Sequence, residues 1–172
     1  IFFQVQFHDW YNQDSDSINL FRANIIRSLK DEFKDRFFGG MWFKNRVDTQ
    51  YEDCITNVDT NYESYIDFIN NAAIVISTNG FGGSIPWKLV EYMELGCCIV
   101  SERNDHLFRV PLDKNIISFY QTEDECVQLC NDLLDDNNVI NKKKISSAEY
   151  YSRCLDPSVI MKQIILNSSQ LA

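Results

Sequence analysis

The stretch Ser77–Glu102, STNGFGGSIPWKLVEYMELGCCIVSE, decides the fold, because it runs strand end, glycine-rich loop, helix, glycine stop and second strand in one pass. Ahead of it, Ala72-Ala73-Ile74-Val75-Ile76 is a short apolar run rich in β-branched residues, the pattern of a strand covered on both faces. Cys97-Cys98-Ile99-Val100 has the same character. Between the two, Ile85 to Leu95 carries good helix formers, with Pro86 suited to a first helical turn and Gly96 to the position past the end. The segment is one βαβ unit.

Junctions of this kind bind anions. Gly80, Gly82 and Gly83 let the backbone turn tightly and approach a ligand, and the unpaired N–H groups at a helix start attract negative charge, here expected from Gly82 and Gly83. Lys88 and Glu91 lie three apart on one helix face, so an ammonium and a carboxylate can address one ligand. A nucleotide diphosphate suits that pair: the lysine neutralises phosphate and the carboxylate accepts hydrogen bonds from ribose hydroxyls. The same residues also fit a plain loop followed by a solvated helix pair, and on residue types alone both readings stand.

The run NGFGGSIPWKLVEYMELGCCIVSE resembles the donor-binding segment in the C-terminal domain of GT-B glycosyltransferases, in particular the family 4 or group 1 enzymes of bacterial surface-polysaccharide assembly. Those proteins follow a glycine-rich loop with a helix of the pattern K-x-x-E-Y/A-M-x-x-G and a strand reading P/C-I-V-S; the matching residues are Lys88, Glu91, Tyr92, Met93, Gly96, Ile99, Val100 and Ser101. Tyr62–Ala72 resembles the family's preceding helix, Glu123–Asp136 its late helix, and Ala148–Tyr151 with Leu155-Asp156-Pro157 its final helical segment. The resemblance implies that Gly80, Gly82, Gly83, Ser84, Lys88 and Glu91 bind the donor, with Glu91 on the ribose and the lysine side of the loop near the diphosphate. Two departures accompany it: the family's first glutamate would fall at Gly83, and its glycine-arginine-leucine and lysine pattern is not found after Phe2–Trp10.

What the resemblance implies for the whole is a Rossmann-like, doubly wound, mainly parallel α/β sheet with helices on both faces. Residues 1–172 would form one such domain, the C-terminal half of a two-domain hexosyltransferase that is inactive without its N-terminal acceptor domain. The donor would be a nucleotide-diphosphate sugar, the acceptor a polysaccharide or lipid-linked chain, and no cofactor or metal is expected. No catalytic residue is assigned. A cytoplasmic location follows, with at most peripheral membrane association through the full-length protein. The alternative is a non-catalytic nucleotide-binding or regulatory module of the same fold; a sugar-nucleotide epimerase of GT-B architecture and a receiver or flavodoxin-like domain are set below both.

Size and charge agree with one domain. The chain has 172 residues, 20.1 kDa and 45% apolar residues, enough for a sizeable core. It opens on Ile1, directly in the strand-like run Phe2–Phe7, as a fragment would; removal of a leader or renumbering gives the same appearance. A net charge of −9 argues against a nucleic-acid binder, since phosphate affinity comes from clustered Lys and Arg. The cations to watch are therefore Lys88, Arg22, Arg27 and Arg103. Six cysteines contain no C-x-x-C and the two histidines, His8 and His106, lie far from any cysteine pair, so the cysteines are read as small buried hydrophobes. No apolar stretch reaches the ~20 residues of a membrane span. Asn167-Ser168-Ser169 matches a glycosylation acceptor by chance.

Elsewhere, strands are expected at Phe2–His8, within Arg36–Phe43 broken by Gly39-Gly40, around Cys54-Ile55-Thr56, and near Asn115–Phe119. Helices are expected at Asn19–Phe33, Tyr62–Asn70, Glu123–Leu134, Lys142–Cys154 and Pro157–Leu166, with Lys142–Lys144 as a solvated helix start. His8, Asp9 and Trp10 close the first strand, where ligands of doubly wound sheets collect; His8 is either a catalytic imidazole or a polar strand end. Arg22 and Arg27 are diphosphate candidates, Trp87 either stacks on a base or fills the core, and Glu102 and Arg103 sit where a sugar would.

Overall fold

The computed structural model describes residues 1–8, 13–44, 48–104, 108 and 110–168. Asp9, Trp10, His106 and Ser169 lie outside them. Five strands, β1 (Phe2–Gln6), β2 (Phe38–Trp42), β3 (Val75–Ser77), β4 (Ile99–Glu102) and β5 (Ile117–Tyr120), form one sheet in the order β2-β1-β3-β4-β5, with every pair parallel. The helices are α1 (Gln13–Phe33), α2 (Tyr62–Asn71), α3 (Trp87–Glu94), α4 (Glu123–Leu134), α5 (Asn137–Tyr150) and α6 (Pro157–Ser168).

Alternation along the strands builds two cores. Phe3, Val5, Ile74, Ile76, Cys98 and Val100 face α1 and α4 and pack with Ile25, Ile26, Leu29 and Cys130. Phe2, Val75, Cys97 and Ile99 face the other side and pack with Tyr65 and Ile69 of α2, Leu89, Tyr92 and Met93 of α3, and Tyr150 of α5. The continuous apolar runs of the sequence are therefore strands buried on both faces, and the expected Rossmann-like architecture is the one observed. Helix starts are fixed locally: Asn61, Thr122 and Asp136 accept the N–H groups of Ser64, Glu125 and Asn138.

Several expectations are corrected. Helix α1 starts at Gln13, six residues before the expected Asn19. Gly39 and Gly40 do not break β2 but lie inside it, at φ of 122° and 135°. A Cβ on Gly39 would stand 2.0 Å from Phe3 O, and one on Gly40 2.6 Å from Cys54 O, so only glycine lets the chain pass between its neighbours. The strand expected around Cys54-Ile55-Thr56 is reduced to one parallel bridge, Met41 to Ile55, after a 3₁₀ turn over Thr49–Cys54. The Asn57 side chain takes the Gly39 N–H at 3.0 Å, replacing part of the ladder. Counted as a vestigial strand, that bridge turns the order into 3-2-1-4-5-6, the classical dinucleotide-fold order. Lys143 and Lys144 are not a solvated start: α5 begins earlier, and their ammonium groups donate to Lys114 O and Ala72 O. Trp87 is 90% exposed and fills no core. Among the described residues, no helix is long and apolar enough to cross a membrane.

Candidate functional site

The sheet has its topological switch point between β1 and β3, the crevice where open α/β sheets bind ligands. Here the two strands pair at one position only, Phe2 with Val75, before separating. Phe2 N donates to Ile74 O at 3.0 Å, so Phe2, Gln4 and Gln6 turn their backbone groups toward β3. Cations occupy the seam instead of β3. Lys88 Nζ donates to Gln4 O at 2.7 Å, coming from α3, and Arg22 Nη1 donates to Gln6 O at 3.2 Å, coming from α1 on the opposite face.

Arg22 spans the gap. Its Nε donates to Thr78 Oγ1 at 3.1 Å and its Nη2 to Asn79 O at 2.9 Å. Burial lowers the guanidinium from 12.5 to about 10, partly offset by the Glu102 charge. Burial likewise lowers the Lys88 ammonium from 10.5 to about 8; Glu91 opposes the fall and Arg22 adds to it. Gln4 Nε2, also buried, has no hydrogen-bond partner among the described residues. Two desolvated cations and an unspent amide donor at one seam make it receptive to an anion.

Above the seam lies a crevice of ≈ 220 Å³, bounded by Ile18, Phe21 and Arg22 of α1, by Thr78, Asn79, Gly80 and Gly83 after β3, and by Glu102 at the end of β4. Asn79 organises its floor: its N–H donates to Glu102 Oε2 at 2.7 Å and its Nδ2 to Arg103 O at 2.9 Å. Asn104 Nδ2 donates to Asn79 Oδ1 and Gly83 O, both at 2.7 Å, fastening the loop. The loop is a 3₁₀ turn, Phe81–Gly83, with Gly82 and Gly83 at φ of 63° and 73° and nothing among the described residues within 4 Å of where their side chains would stand. Backbone conformation, not crowding, requires that glycine pair. The turn closes on itself, Gly83 N donating to Gly80 O and Gly80 N to Ser84 O. Gly82 and Gly83 are thus not the helix-start groups the sequence suggested: α3 begins at Trp87, and no side chain caps it.

The structure brings Arg22, Gly80, Gly83 and Glu102 together around the crevice; Gly82 and Ser84, exposed in the same loop, and Lys88 and Glu91, on α3, are not among its described walls. Lys88 reaches the seam from the α3 side. Glu91, one turn further, is half-buried and accepts from Tyr65 Oη at 3.2 Å. The Lys88 ammonium lies 4.7 Å from the centroid of the same Tyr65 ring. His8 follows β1, its backbone clamped by Asn19, whose Oδ1 accepts from His8 N and whose Nδ2 donates to His8 O. Arg103 is exposed and lines a separate hollow with Phe119 and Gln121. Arg27 does not join the crevice, its guanidinium being paired with Asp53 at 2.6 Å. Sequence reasoning passed over Thr78, Asn79 and Tyr65. For Tyr65 the signal was there: a tyrosine on the buried stripe of an amphipathic helix needs a partner for its hydroxyl. No group of three or more His, Cys, Asp or Glu among the described residues could hold a metal ion.

The fold is Rossmann-like, and comparison with known proteins gives a glycosyltransferase-like domain of the GT-B type. The model of the glycosyl transferase-like family matches residues 22–156, and the chain belongs to that family. Its fold is similar to sucrose-phosphate synthase from Thermosynechococcus elongatus, at 11% identity and a TM-score of 0.61 over 99% of this chain and 45% of that one. It is also similar to the C-terminal domain of the group 1 family glycosyl transferase LpcC from Francisella tularensis, at 10% identity and a TM-score of 0.56 over 88% of this chain and 83% of that domain. The chain spans less than half of the synthase. A search of curated protein sequences gives no match.

Proposed function

We propose that this domain binds the nucleotide-diphosphate sugar of a glycosyltransferase that passes the sugar to a polysaccharide or lipid-linked acceptor, with an N-terminal domain supplying the acceptor site. The observation that carries the reading is the opened β1/β3 seam, where Lys88 and Arg22 stand at the switch point with neutral oxygens as partners. In this reading the diphosphate lies between the seam and the Gly80–Ser84 turn, and Glu91 accepts from ribose hydroxyls. When the glycosidic bond to the donor breaks, negative charge grows on the departing diphosphate. Fixed cations stabilise that charge without reorganising at the moment of reaction, and no metal is needed for this part.

Titration calorimetry of the chain against UDP, GDP, ADP and CMP and their sugars tests the reading. One diphosphate should bind, and Glu91→Ala should weaken it by about 1.5 to 3 kcal/mol, the worth of hydrogen bonds to a charged group. Silence toward all of them would overturn the donor assignment for this chain.

A further inference from the structure

Two of the side chains placed on the donor, Lys88 and Glu91, share one neighbour on a different helix. Tyr65 of α2 touches both, each through a different part of its side chain. Its ring face receives the Lys88 ammonium at 4.7 Å, and its hydroxyl donates to Glu91 Oε2 at 3.2 Å. The tyrosine itself has little freedom, being 7% exposed and packed against Phe2 with ring centroids 5.9 Å apart.

We propose that Tyr65 is a positioning residue for the donor site, holding the Glu91 carboxylate for the ribose through its hydroxyl and the Lys88 ammonium for the diphosphate through its ring. This rests on the donor-binding reading above and deepens it. A carboxylate free to rotate about its side-chain torsions loses entropy when it binds a diol; one already held by a buried hydroxyl on a packed ring has lost it in advance. The remaining carboxylate lone pairs are left for the ligand. Burial holds the Tyr65 hydroxyl far above its ordinary pKa, so it stays a donor throughout the working pH range. The ring does a separate job: a cation over an aromatic face is stabilised in its charged form, which favours the protonated lysine that a phosphate requires.

The two functions come apart by substitution. Tyr65→Phe keeps the ring and removes the hydroxyl, whereas Tyr65→Leu removes both. Binding is read by calorimetry with UDP, GDP and ADP, each beside its 2′,3′-dideoxy counterpart, and with inorganic pyrophosphate. For the base that binds, Tyr65→Phe should lose roughly tenfold in affinity for the ribonucleotide, the scale of one hydrogen bond to a charged group, and leave the dideoxy compound and pyrophosphate unchanged. Glu91→Gln should show the same ribose-selective loss, and the double variant should lose less than the two single losses combined. Tyr65→Leu should in addition weaken pyrophosphate and move the pH at which its binding fades to a lower value. A Tyr65→Phe protein that no longer melts cooperatively, or whose three affinities fall together or not at all, assigns Tyr65 to packing and overturns the proposal. A wild-type protein that binds none of the nucleotides overturns the donor-binding reading itself, and this proposal with it.

Discussion

Replacing Arg22 by methionine separates a cation kept for a ligand from one kept for the fold. The side chain is 6% exposed and makes three hydrogen bonds, to Thr78 Oγ1, Gln6 O and Asn79 O. Bonds from a charged donor contribute about 1.5 kcal/mol each at the low end, so about 4 to 5 kcal/mol together. Against this stands the burial of the charge. A fall from 12.5 to about 10 corresponds to about 3 kcal/mol, at about 1.4 kcal/mol for each tenfold change. The two are of similar size and opposite sign, so the net contribution of Arg22 to stability is small, and methionine retains much of the apolar stem. Each kcal/mol lost lowers the melting temperature of a chain of this size by about 2 to 4 °C, so a fall of only a few degrees is expected. Affinity for the nucleoside diphosphate should drop by at least tenfold, because a charge-assisted phosphate contact is lost. Differential scanning calorimetry and titration calorimetry on the same preparation check both halves. A melting temperature lowered by more than about 10 °C, or a diphosphate affinity that does not change, would refute the reasoning.

Lys88 gives a pH prediction. Its folded value of about 8 lies below the ordinary 10.5, so between these two pH values the unfolded chain binds the proton more often than the folded one. This group therefore makes the free domain more stable as pH rises from 8 toward 10.5, while diphosphate affinity falls over the same window because the bound anion needs the ammonium; denaturant titrations and binding isotherms at several pH values check the opposite slopes. Gly39→Ala should destabilise the domain by more than about 2 kcal/mol, since the new Cβ meets Phe3 O at 2.0 Å and φ is 122°, and a denaturant melt measures it. Burial pushes the thiols of Cys54 and Cys98 up to about 11 and that of Cys97 up to about 12, so at neutral pH a thiol reagent should label these three only after unfolding.

The central βαβ unit was legible because each level of the sequence agreed: β-branched apolar runs, a helix-forming stretch and glycines at both joints. Helix α4 was legible to the residue, since Thr122 caps Glu125 N and an apolar stripe follows. What escaped depended on partners distant in the chain. The glycines of β2 look like a strand break until Phe3, Cys54 and Thr56 are seen crowding them. Cys54-Ile55-Thr56 has strand-forming residues, yet the preceding 3₁₀ turn and the Asn57 side chain leave it one bridge. Lys143 and Lys144 look solvated in sequence because nothing local announces the carbonyls they meet. Of the candidate donor-binding residues, the glycines, Lys88 and Glu91 were marked in the sequence by their spacing. The convergence of Arg22, Thr78 and Asn79 was not, because it arises only where α1 crosses the separated strand ends.

The identity of the atoms that hold the two seam cations has a kinetic and energetic corollary. Lys88 and Arg22 rest on carbonyl and hydroxyl oxygens, acceptors without net charge. An anion arriving there has, among the described residues, no established ion pair to pull apart, whereas severing a buried one costs about 3 to 5 kcal/mol. The exchange on arrival is of weak, uncharged company for strong, charged company, and on departure the carbonyls are waiting to take the cations back. A cleft arranged in this way would take up an anion and release it without stranding a bare charge.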